Sequence, residues 1–303
     1  MSDRRFPAAL KPLSLVLTGA LLTACSTGPG PSPTGAPPTG TPPTSQPTQA
    51  SLQLILRVTS EGGFINPSAN LASLPTVSVY ADGRILTPGA VDAVYPGPLL
   101  LPVAIKDVGP AGAQAIIAAI RAAGLDKQGA GGGVGNPDAA TTVFAATVDG
   151  TTITTRLHLG GGPGGAGLPG AASPGPSVAA AGDLLNRLID PSETWGAANP
   201  VTSTLAPTAY RIFVAPGAPV GDLPTSQPAV AWPLATPLDQ FGSAAVPDRG
   251  IAGLRQGAVF GADAQTLGPV LAAANALTAF SSGGNLYTLF VRPLLPDEVP
   301  APG

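Results

Sequence analysis

Apolar and polar positions along the chain change rhythm several times, and each change predicts an element. In residues 52–58 and 76–80, branched and aromatic residues such as Ile55, Val58, Val77, Val79 and Tyr80 predict two strands. Asp82-Gly83 supplies a tight turn into Arg84-Ile85-Leu86, which makes a hairpin, and residues 103–106 form a further strand. The period then lengthens. After Gly109-Pro110, the residues Ala113, Ile116, Ile117 and Ile120 fall on one helical face, and Gly124 ends the helix. Alternation returns in residues 142–148 and 151–159, a second hairpin about Asp149-Gly150. Its return strand places Ile153, Leu157 and Leu159 inward and Thr152, Thr154, Arg156 and His158 toward water. Val178, Ala181, Leu184, Leu185 and Leu188 describe an amphipathic helix that stops at Asp190-Pro191.

The same alternation of periods recurs further on. Residues 210–214 and 254–260 read as strands, separated by a proline-rich passage that carries Trp232. A helix is expected over 263–277, with Gly268-Pro269 either kinking it or marking its start. Ser282-Gly283-Gly284-Asn285 turns the chain into a last strand at 286–291, and 296–303 reads as a frayed tail. The expected class is α+β, antiparallel sheets with a few packed helices, in a unit at 51–195 and a second at 196–303 packed on it. Residues 108–125 and 260–277 run alike, from an apolar residue through glycine into an alanine-rich helix. Duplication of one half is one reading of that likeness, and shared composition is the other.

The N-terminal region follows a different pattern. Arg4, Arg5 and Lys11 precede an apolar run over 13–24, too short to span about 30 Å of hydrocarbon but of the length of a secretion signal. The run ends at Leu22-Thr23-Ala24-Cys25, and Cys25 is the single cysteine of the chain. This tetrapeptide resembles the lipobox of bacterial lipoproteins. The resemblance implies that Cys25 receives a diacylglyceryl group on sulfur and that residues 1–24 are removed. Two or more acyl chains then anchor the protein stably, each buried methylene contributing about 0.8 kcal/mol. Residues 26–50 carry no charge and consist almost wholly of Ser, Thr, Gly, Pro, Ala and Gln; they are expected to form a disordered tether. Val77-Ser78-Val79-Tyr80-Ala81-Asp82-Gly83-Arg84, Ala231-Trp232-Pro233-Leu234-Ala235-Thr236-Pro237, and the passage from Ala274-Asn275-Ala276-Leu277 to Arg292-Pro293-Leu294-Leu295-Pro296 are similar to uncharacterised envelope lipoproteins of high-GC Gram-positive bacteria. That similarity implies an extracytoplasmic, membrane-anchored protein and brings no activity with it.

Composition narrows the picture by exclusion. Removal of 1–24 takes away Arg4, Arg5, Lys11 and Asp3, leaving 11 basic and 16 acidic residues, a net charge of −5. No basic cluster exists to replace phosphate counterions, so nucleic acid is not an expected partner. With Cys25 lipidated, no disulfide can form, and the fold must rest on burial alone.

Candidate chemistry is sparse. His158, the one histidine, would have to serve any Ser-His or Cys-His arrangement, yet it sits beside Arg156 on the face expected to be wet. Gly175-Pro176-Ser177-Val178-Ala179 comes nearest a nucleophile elbow but lacks the final glycine. Residues 160–165 match G-x-G-x-x-G, but Pro163, Pro169, Pro174 and Pro176 prevent the prompt helix a dinucleotide site needs. There is no cysteine pair, second histidine or calcium-loop pattern for a metal, and no cofactor is expected. Asp82, Asp149 and Asp190 all have turn positions. Trp195 and Trp232 read as core plugs. The function expected is a non-catalytic binding or scaffolding module, held at the cell membrane through lipid on Cys25 and facing an envelope protein. A carrier or sensor of an apolar, lipid-like ligand is the alternative, and a carboxylate-dependent wall hydrolase is a third reading.

Overall fold

In a computed structural model of the chain, the residues described are 53–63, 67–128, 140–159, 177–221, 227–246 and 250–299. They build the expected α+β fold from two sheets, antiparallel except for one two-residue strand, and three helices. The first sheet contains β1 (Leu54–Glu61), β2 (Val77–Tyr80), β3 (Arg84–Pro88), β4 (Val103–Asp107), β5 (Thr141–Val148), β6 (Thr151–Leu157) and β7 (Val201–Thr204). Their order is β6-β5-β1-β2-β3-β4-β7. Both expected hairpins are present, with Asp82-Gly83 joining β2 to β3 and Asp149-Gly150 joining β5 to β6.

Helices α1 (Gly109–Ala122) and α2 (Val178–Ile189) cover one face of this sheet. Ile116 and Ile120 of α1 and Leu184 and Leu188 of α2 pack with Leu56, Val58, Val79 and Phe144 in one cluster. Burying each such side chain contributes about 1.5–3 kcal/mol. Trp195 joins the same cluster, with the Arg187 guanidinium 4.1 Å from its ring centroid. Lys106 of β4 is buried and donates to the carbonyls of Asp190 (2.6 Å) and Glu193 (3.2 Å), which ties the C-terminal end of α2 to the sheet. Burial holds this amine below its ordinary pKa, against the opposing pull of Asp190 and Glu193.

The second sheet contains β8 (Tyr210–Pro216), β9 (Val230–Ala231), β10 (Ser243–Ala244), β11 (Arg255–Val259), β12 (Ala279–Ser282) and β13 (Asn285–Pro293), in the order β10-β11-β8-β13-β12-β9. One helix, α3 (Gly261–Ala273), packs on it through Ala264, Leu267 and Leu271. The helix lies over the Tyr210 end of β8. A Cβ at Gly268 would sit 2.9 Å from the Tyr210 hydroxyl, so the missing side chain permits this approach. The resemblance between 108–125 and 260–277 extends to a strand, then a helix that starts on a glycine of positive φ (Gly109, 67°; Gly261, 58°). It stops at the hairpin that follows. After α1 the first hairpin strand, β5, joins β1, whereas after α3 the second hairpin strand, β13, joins β8.

The helix-free face of each sheet receives a residue from the other half. Leu71 packs with Ala215, Leu254, Phe213 and Phe290, and Leu295 packs with Tyr80, Leu86 and Val103. Residues 296–299, expected to fray, are held in place. Asp297 accepts from Arg57 Nη2 (2.8 Å) and Tyr80 Oη (2.6 Å). Both oxygens of Glu298 accept from Arg292, at 2.7 and 2.9 Å, in the forked geometry that makes Arg–carboxylate pairs strong. The tail is fixed because its acids meet two arginines that point away from the helices.

Other expectations shift. β1 runs to Glu61, beyond the expected 58. α3 begins before 263 and ends at Ala273 rather than 277. Its end has a local cause: Asn275 accepts from Leu277 N through Oδ1 and from Thr278 N through its carbonyl, a side-chain-supported turn that competes with helix. Pro269 lies inside the helix and does not mark its start. β6 ends at Leu157, so His158 lies just past the strand rather than within it. The short strands β7, β9, β10 and β12 were not expected.

Candidate functional site

A cleft of about 640 Å³ opens on the second sheet, at the end of β8 away from Tyr210. Three chain reversals meet there. Val214 and Pro216 close β8, with Gly217 and Ala218 just beyond it. Gly253 precedes β11, whose first residue is Arg255. Gly284 forms the β12–β13 turn, and Asn285, Leu286 and Tyr287 start β13. Register places them together: Arg255 pairs with Val214, and Tyr287 with Pro216. Residues directly opposite in antiparallel strands share a face, so the Arg255 and Tyr287 side chains lie on the same side as Val214.

The remaining wall is the loop that carries Leu238 and Asp239. An aromatic plug sets its path. The Trp232 ring meets Phe241 and Phe280 edge to face, with centroids 6.0 and 6.4 Å apart, and its Nε1 donates to Thr236 O at 2.9 Å. Phe241 reaches the sheet because Gly257 offers no side chain; a Cβ there would lie 2.6 Å from the ring. Leu238 N donates to Ser282 Oγ at 3.1 Å. Arg255 then fastens the loop from beneath, its Nε donating to Phe241 O (2.9 Å) and its Nη2 to Gly242 O (3.0 Å).

The cleft therefore has an apolar floor at Pro216 and Ala218, with Val214 and Leu238 buried, and a polar rim. Asp239 is the one acid and Arg255 the one base among its lining residues. Neither forms an ion pair with a described residue. Arg255 is neutralised by no carboxylate there; its two bonded N–H groups face carbonyls. Such a site can hold a small molecule by contact along the floor and by charge at the rim.

The other concentrations of ionisable groups are saturated. Tyr80, Arg57, Asp297, Glu298 and Arg292 bond to one another. Burial, and then the hydrogen bond to Asp297, push the Tyr80 hydroxyl well above its ordinary pKa. For Glu298, burial alone would raise the pKa. Hydrogen bonds from Arg292 and from Leu295 N outweigh it and hold the carboxyl below its usual value.

The residues singled out from sequence are dispersed. Cys25 and the glycine-rich stretches 129–139 and 160–176 lie outside the described residues. His158 Nδ1 is 3.4 Å from Thr141 Oγ1, with no acid among its bonded partners. Ser177 caps α2, its Oγ accepting from Ala180 N at 3.3 Å. Asp82 holds Arg84, Asp149 meets Arg121, and Asp190 accepts from Ser192; the bonds from Ser192 lower the Asp190 pKa. Trp195 and Trp232 are buried as core plugs. Among the described residues, no group of three or more His, Cys, Asp or Glu lies close enough to hold a metal, and no helix is long and apolar enough to cross a membrane. None of the cleft residues was selected from sequence. Their only shared signal is glycine at three turns, Gly217, Gly253 and Gly284, in a chain with 40 glycines.

No family model, curated protein or solved structure matches the chain.

Proposed function

We propose that this protein is a lipid-anchored binding module of the cell envelope, held at the extracytoplasmic face of the membrane through Cys25 and presenting the cleft of the second sheet to a small ligand. The cleft is the observation that carries the binding role: about 640 Å³, preformed, and walled on one side by a loop fixed through Trp232 and Arg255. Its volume lies within the range of ordinary ligand pockets. Its charged rim favours a polar or mixed ligand over the lipid-like one of a carrier. A single acid at the rim favours binding over carboxylate-pair hydrolysis, which needs two.

Native mass spectrometry of the full chain purified from its membrane tests this. Wild type is expected to retain a small polar molecule that Ala218→Trp, which adds bulk to the cleft lining, does not. A retained lipid lost in the same variant would favour the carrier reading, and an identical retained set in both proteins would dismiss the cleft. Labelled palmitate is expected to enter wild type and not Cys25→Ser.

A further inference from the structure

The charges at the rim of the cleft narrow the class of ligand, on the reading that the cleft is a binding site. Arg255 has five N–H donors, of which one on Nε and one on Nη2 are taken by the carbonyls of Phe241 and Gly242. Those two bonds fix the plane of the guanidinium without cancelling its charge. Nη1 has no partner among the described residues, so the outer edge of the fork is left to the cleft that Arg255 lines. A fixed guanidinium edge is matched by a carboxylate, which accepts two parallel N–H bonds. Asp239, on the loop that Arg255 fastens, lines the same cleft, is exposed and forms no ion pair with a described residue. A carboxylate in that position is matched by an ammonium group. The same cleft has its apolar floor at Pro216 and Ala218.

We infer that the cleft takes a zwitterionic ligand of amino-acid to short-peptide size, its carboxylate on Arg255, its ammonium on Asp239 and its apolar side chains on the floor. The two rim charges are of opposite sign, so a ligand with only one charge leaves the other unmatched. A neutral glycan uses neither.

The test is calorimetric titration of the full chain in detergent with leucyl-leucine, its C-terminal amide and its N-acetyl derivative. The free dipeptide is expected to bind, and each capped form to bind at least about tenfold more weakly, the loss expected for one charge-assisted contact. Asp239→Asn is expected to erase the penalty for N-acetylation and leave that for amidation. Arg255→Gln is expected to do the reverse. Because Arg255 also holds the Phe241 loop, Arg255→Lys serves as a second variant that keeps the charge and loses the fork; it should bind the free dipeptide more weakly than wild type and more tightly than Arg255→Gln. Ala218→Trp is expected to abolish binding of all three compounds. Equal binding of free and capped forms, lost in Ala218→Trp, would overturn the zwitterion and leave the cleft standing. Binding that survives Ala218→Trp would overturn both. Absence of binding by the free dipeptide at millimolar concentration would overturn the zwitterion inference, and the retained molecule in the native mass spectrum would then judge the cleft alone.

Discussion

The two sheets solve one packing problem in different ways. The first is covered by two helices, α1 and α2, and its core cluster is drawn from both helices and five strands. The second has one helix for six strands. α3 covers the Tyr210 end of β8, and a loop stiffened by Trp232, Phe241 and Phe280 covers much of the rest. A helix seals a sheet along its whole length because its side chains repeat. A loop seals it only where its large side chains fall, and beyond Leu238 it leaves the cleft. The open site thus follows from substituting an aromatic plug for a second helix.

That comparison can be broken most forcefully at the plug. Trp232→Ala is expected to cost about 3–5 kcal/mol in urea unfolding and to lose ligand retention as well, since the loop forms one wall of the cleft. Ile116→Ala, under α1, is expected to cost about 2–5 kcal/mol while ligand retention per folded molecule stays unchanged. If Ile116→Ala emptied the cleft as fully as Trp232→Ala does, the two sheets would not be separable in this way. Asp297→Ala removes the shared partner of Arg57 and Tyr80, and should cost about 1–3 kcal/mol. Glu298 is held below its ordinary pKa of 4.5, so its contribution is complete above about pH 4.5 and is lost as pH falls through the lower folded value. Glu298→Gln should therefore flatten the decline of stability measured between about pH 5 and pH 3. Cys25→Ser should change unfolding least of all and release a folded protein from the membrane; misfolding of that variant would refute the tether expected over 26–50.

Much of the first sheet was legible in the sequence because its information is local. Asp82-Gly83 and Asp149-Gly150 dictate hairpins, and Ile116 and Ile120 dictate a buried helical face, without reference to anything distant. The second sheet was less legible. β9 and β10 have two residues each, too few for a period, and exist because neighbouring strands offer an edge. The end of α3 is set by the side chain of Asn275, which competes with a run of alanines that would otherwise continue the helix. The clamp on the tail joins Arg57 to Asp297 across a separation of 240 residues, which no window of sequence contains. The cleft was the least legible feature. Its ordering contacts run from Arg255 to backbone carbonyls, and a carbonyl carries no residue identity.

The pinned tail bears on how the molecule comes into being. On the first sheet, Arg57 Nη2 and the Tyr80 hydroxyl both donate to Asp297, and Leu295 completes the cluster of Leu86 and Val103. Closing so long a loop costs entropy that grows as about 1.5 RT times the logarithm of its length, so this contact is favoured only after the intervening elements have shortened the effective path. A ribosome delivers β1 to β4 long before residues 294–298. The first sheet must therefore wait, with part of an apolar face uncovered, through synthesis of the entire second sheet. High contact order of this kind makes folding slow and the half-made chain prone to association, which places the most hazardous moment in the life of the protein before its last strand is complete.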